Sequence, residues 1–183
     1  MKKKITVILL IFAVMFIFAT AYYFIYQSRF INLTTETSEG NLRLGKIFSM
    51  YPDNKTFKGK HSSIDFITLS HLLKYSSYSL IKQDIFILIN ASNIKTLQKG
   101  VYIYKKTNHS LELLSRKILS PKNKILICIN KNSPEHYLSA GVVFENIILG
   151  LIDNNISFYL KQIQNRIYTY TAIEEIIIGE KTK

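Results

Sequence analysis

Apolar positions recur along this chain in three rhythms. Ile5–Tyr26 runs without a charge and exceeds the ~20 residues a helical membrane span requires. Between Ser133 and Asp153 the spacing is helical. Tyr137, Ala140, Gly141, Phe144, Ile148 and Leu151 share one face, and Leu138, Val142, Val143, Ile147 and Leu149 make much of the rest apolar. Ser133 is placed to accept the first free amide, Pro134 suits the first helical position, and Glu135 complements the positive dipole end. A helix apolar on nearly all sides belongs in the middle of a domain. Ser139, Glu145 and Asn146 argue against a membrane span here, so this segment is expected to be a buried central helix.

The third rhythm is short and strand-like. Asp84–Ala91 and Lys124–Asn130 are Ile-rich runs too short for typical helices and read as buried strands. Gly100–Lys105 alternates and reaches Thr107-Asn108-His109, a turn into Ser110–Ser115, which together predict a hairpin. Ile156–Ile163 and Ala172–Gly179 close the chain as strands. Ile64–Tyr78 places Ile67, Leu69, Leu72, Leu73 and Tyr75 near helical spacing, with Thr68 or Ser70 as start signals. The mixed order predicts an α+β fold, a mainly antiparallel sheet packed on the central helix, preceded by one N-terminal transmembrane helix. The expected divisions are an anchor over 1–26, a juxtamembrane linker over 27–46 and a folded domain over 47–183.

Charge changes this picture at one end. Of the formal +12, Lys2, Lys3 and Lys4 precede the apolar run and Arg29 follows it. The positive-inside rule then places the N-terminus inside and the domain outside, with Tyr22, Tyr23 and Tyr26 as interfacial aromatics. Ala19-Thr20-Ala21 also has the small-x-small form of a signal-peptidase site. An anchor and a cleaved signal both carry the domain across the membrane. The remaining positive charge is spread without a dense cluster or a nucleic-acid-binding signature, and suits anionic headgroups or an acidic ligand. Cys128, the one cysteine, lies inside an apolar run and reads as an inert buried thiol. His61, His71, His109 and His136 show no ligand spacing, so no metal site is expected. His109 reads as a solvated turn residue. Glu145 either faces the wet edge of its helix or is buried with a partner and a raised pKa.

Ordered motifs over residues 60–179 add a family resemblance. They are Leu69–Tyr75, Ile85–Ile89, GVYIYKKTNHSLELLS at Gly100–Ser115, AGVVFENIILG at Ala140–Gly150 and IIIG at Ile176–Gly179. This set resembles the nitroreductase superfamily, and within it the SagB-type dehydrogenases, which oxidise azoline rings in ribosomally made, modified peptides. The resemblance implies FMN, bound noncovalently and commonly at a dimer interface. It places Lys60, His61, Ser62, Asn146 and Lys181 near the cofactor and leaves the catalytic residue unknown. Two departures stand out. Ile64 occupies the place of an arginine in the family's phosphate-gripping stretch, which removes a bidentate fork. The Ser76–Lys82 stretch has no glycine where the family brings backbone close to the flavin ring. Two functions are therefore expected. One is an FMN oxidoreductase in the maturation of a bacteriocin-type peptide. The other is an inactive, membrane-anchored relative that binds a peptide or a maturation, export or immunity partner.

Overall fold

The Ile-rich runs become the middle of one sheet. A computed structural model describes residues 15–18, 20, 22, 30–33, 56–78 and 84–179, and the chain divides into two units, residues 1–31 and 32–183. The strands are β1 (Phe30–Asn32), β2 (Thr56–Phe57), β3 (Ile85–Ala91), β4 (Gly100–Lys105), β5 (Ser110–Ser115), β6 (Lys124–Ile129), β7 (Phe158–Ile167) and β8 (Tyr170–Ile178). The helices are α1 (Phe66–Tyr78) and α2 (Pro134–Asp153). The sheet order is β1-β5-β4-β3-β6-β8-β7-β2. Every pairing from β5 across to β2 is antiparallel.

Side chains alternate across the pleat. Leu88, Ile103, Leu126, Cys128 and Ala172 form one buried cluster, against which Phe86, Leu114, Ile163, Ile167 and Tyr170 pack. No helical residue belongs to that cluster, and α2 lies on β6 and β3 from the other face, side by side with α1. Burial pushes the Cys128 thiol up to about 12. Because the thiolate is the reactive form, Cys128 should resist iodoacetamide in the native protein at pH 8 and alkylate readily in urea. Native labelling at the urea rate would place the thiol outside this core.

Two expectations are corrected. The first is the helix at the centre of the domain. α2 buries Ala140, Val143, Ile147, Ile148, Leu151 and Ile152, but Leu138 is 73% and Tyr137 40% exposed. It is a one-sided helix, with one face on β6 and β3 and with Tyr137 and Leu138 turned outward. The second is the membrane anchor. Among the described residues no helix is long and apolar enough to cross a membrane. The described positions from Met15 to Tyr22 are helical, with Thr20 donating its hydroxyl back to the carbonyls of Phe16 and Ile17. Most of Ile5–Tyr26 and of the expected linker lies outside the described residues. The extracytoplasmic placement rested on the anchor and falls with it.

Candidate functional site

The residues singled out for phosphate binding belong to a strap, Gly59–Ser63, laid across the corner between α2 and β7. Its attachment is unusually complete. Ser157 Oγ accepts from the Gly59 amide at 3.0 Å and donates to the Gly59 carbonyl at 3.0 Å. Asn155 accepts the next two amides, Lys60 on its side-chain oxygen at 3.1 Å and His61 on its carbonyl at 3.0 Å. The Ser157 amide then donates to the His61 carbonyl at 2.7 Å. Asn155 takes a left-handed conformation, φ 56°, which asparagine tolerates better than most residues. Gly59 is required by contact: a Cβ there would lie 2.2 Å from the Asn155 carbonyl oxygen.

Beyond the strap, Asp65 accepts the Thr68 amide at 2.7 Å, the side-chain cap of α1. Sequence reading proposed Thr68 or Ser70 as the start signal; Asp65, three residues before Thr68, carried it. A cavity of about 280 Å³ opens here, lined by His61, Ser63, Asp65, Thr68, Asn154 and Ile156. The far end of β8 arrives beside it. Gly179, at φ 106°, donates to the Ser157 carbonyl at 2.7 Å, and its Cβ position is 3.1 Å from the Ser62 carbonyl oxygen.

The structure thus brings Lys60, His61 and Ser62 together on one exposed strap. Asn146 is not part of it. It is half-buried on α2, eight residues before Asn154, a separation of ~12 Å along a helix axis. Lys181 lies outside the described residues. Ser76 is buried in α1, with its hydroxyl on the Leu73 carbonyl at 2.9 Å, and Glu145 is exposed on α2.

Two histidines hold elements together. His136 is buried, with Nε2 donating to Asp84 at 3.0 Å and Nδ1 facing the Ser133 hydroxyl. Ser133 therefore makes no side-chain cap on α2. The line runs Ser-His-Asp, but neither cavity described for this chain touches it; it clamps the first turn of α2 to the start of β3. His109 is not a solvated turn residue. It is half-buried at φ 46°, with Tyr104 OH 2.8 Å from Nδ1 and Ser70 Oγ 3.2 Å from Nε2. The turn it closes is tied to α1.

No protein-family model matches the sequence, and no curated protein matches it. Solved structures do. A candidate nitroreductase from Ralstonia eutropha JMP134 superposes with a TM-score of 0.62 at 15% identity, over 85% of this chain and 90% of that one. Another from Anabaena variabilis ATCC 29413 gives 0.63 at 14% identity, over 84% of this chain and 42% of that one. The fold is nitroreductase-like. A chain from the E. coli microcin synthetase McbBCD complex with truncated pro-MccB17 bound aligns over 90% of this chain and 93% of its own, at 13% identity and a TM-score of 0.48.

On this nitroreductase-like fold the strap can be tested as a grip for FMN, the cofactor implied by the resemblance. It fits poorly. The Lys60 and His61 amides, which could have faced a phosphate, are held by Asn155. Asp65 lines the adjacent cavity with a carboxylate. The cavity is just below the ~300–1,000 Å³ typical of small-molecule sites, and Asn146 stands apart from it. What remains is one lysine, one histidine and one serine on an exposed surface.

Proposed function

We propose that this nitroreductase-fold chain acts by binding an extended peptide or a peptide-maturation partner, and is not by itself a complete FMN enzyme. The observation that carries this reading is the strap. Its amides are occupied by Asn155, its cavity is lined by Asp65, and Ile64 is buried where the family resemblance expects an arginine. The peptide side rests on the SagB-type hairpin motif, whose residues form β4, the Lys106–Asn108 turn and β5. One observation favours the flavoenzyme reading: Gly179, the last described residue, donates to the Ser157 carbonyl and so stands beside the strap.

An FMN titration of the full chain, followed in the flavin band near ~450 nm, separates the two. The expected result is no saturable binding up to high micromolar FMN. Saturable binding that Lys60→Ala or Ser62→Ala weakens would return the protein to the azoline-oxidising class, and the search for its peptide substrate would follow.

A further inference from the structure

The sheet has two faces, and the described helices cover one of them, with α2 on β6 and β3 and α1 beside it. The opposite face holds Leu88, Ile103, Leu126, Cys128 and Ala172, none more than 1% exposed. Glu175 pairs directly with Leu126, so it shares that face, and it is 6% exposed. A pleated layer cannot dry its own outward side chains to this degree; a second layer has to lie on them. Among the described residues, the cluster and everything packed against it come from strands of the sheet itself. The burial is complete within one chain, so a second copy does not supply it.

Connectivity names the cover. Leu33 donates its amide to the His109 carbonyl at 3.0 Å, at the turn into β5. Thr56 pairs with Tyr159, in β2 at the far end of the sheet. From β5 to β2 there are six inter-strand steps of ~4.8 Å, roughly 29 Å in all. The chain makes that crossing in residues 34–55. They reach ~33 Å even at the helical rise, and more than twice that when extended. On the other face they would have to climb over α1 and α2. Within 34–55, Leu44, Ile47, Phe48 and Tyr51 recur at i, i+3, i+4 and i+7, the spacing of one apolar stripe. Residues 79–83 join α1 to β3 and are too few to lie across β3, β4, β6 and β8. Residues 180–183 start at the strap.

We propose that residues 34–55 cross the helix-free face of the sheet and seal it, with Leu44, Ile47, Phe48 and Tyr51 packed on Leu88, Ile103, Leu126 and Cys128. The occupant of this face is the chain itself. A peptide or partner protein is then received elsewhere on the molecule.

The test uses the full chain, in which Cys128 is the one thiol and reports from inside the cluster. Phe48→Asp should raise its native labelling by iodoacetamide about tenfold or more, because a charge forced into a dry layer drives it open. Phe48→Leu should leave the thiol inert. Unchanged circular dichroism and unchanged amide exchange in α1 and α2 would confirm that the variants are folded. A second measurement needs no destabilised chain. Benzoylphenylalanine in place of Phe48 should photo-crosslink within one chain to β3, β4 or β6. An inert Cys128 in a folded Phe48→Asp chain, or crosslinks only outside those strands, would overturn the proposal. A crosslink formed between two chains would overturn it as well, and would make a second copy the cover. Should Phe48→Asp unfold outright, the crosslink decides alone.

Discussion

Lys124→Met should lower the unfolding free energy by about 3–5 kcal/mol, the usual result of removing one partner from a buried ion pair. Lys124 Nζ lies 2.6 Å from Glu175 Oε1, with side-chain exposures of 19% and 7%. Lys124 and Glu175 sit at the rim of the Leu126 cluster, because Leu126 faces Glu175 directly across β6 and β8. Without the ammonium, a carboxylate is left against apolar walls with little water to solvate it. Adding Glu175→Gln to the same chain should recover most of the loss, since the amide carries no charge to desolvate. Urea midpoints for the four chains of this cycle give the answer. A single-variant loss below about 1 kcal/mol would mean the pair behaves as a surface bridge.

Gly59→Ala should cost about 3 kcal/mol, the upper part of the range for forced overpacking. The new methyl would meet backbone rather than a side chain tip, at 2.2 and 2.5 Å from the Asn155 carbonyl and 2.8 Å from that of Ile156. Backbone cannot rotate aside, so the strap would have to leave Ser157 and Asn155. Gly141→Ala is the internal control with the opposite sign. No atom lies within 4 Å of a Cβ there, and alanine in an exposed helix interior is better than glycine by roughly 1 kcal/mol. Thermal melts of both variants, with exchange at the Lys60 and His61 amides, would decide it. A neutral Gly59→Ala whose strap amides stay protected would refute the close approach.

The bounds of α2 were legible almost to the residue, because Ser-Pro-Glu marks a helix start independently of what surrounds it. Its exposure was not. Tyr137 and Leu138 are apolar and yet face outward, and no periodicity distinguishes a helix buried on all sides from one with an apolar outer face. β3, β4, β5 and β6 could be read because sheet burial selects Ile-rich runs. β1 and β2 could not, since elements of three and two residues are too short to show a period. β7 was expected to end at Ile163 and runs to Ile167. Its polar second half, Gln164-Asn165-Arg166, has no buried face to impose alternation.

At the site, sequence reading placed Lys60, His61 and Ser62 together and missed what holds them. Asn155 and Ser157 lie nearly a hundred positions away, and nothing local advertises their role. Asn90 and Asn123 were missed for the same reason. Asn90 donates to the carbonyls of Ser120 and Lys122 and accepts from Leu119, while Asn123 accepts the amides of Ser92 and Asn93. A buried asparagine is a structural fastener visible only once its partners are in place.

The span between Gly59 and Ser157, 98 residues apart in the chain, also bears on the order in which the molecule assembles. Closing so long a loop carries a large entropic cost that local hairpins such as β4–β5 avoid, and contacts of this range form late. A growing polypeptide can complete α1 and the β3–β6 ribbon while the strap has nothing to fasten to. Only after Ser157 emerges can Lys60, His61 and Ser62 take up their shared surface. By the same logic the strap is a natural first place for the native state to open, so loss of its shape would be an early sign of unfolding.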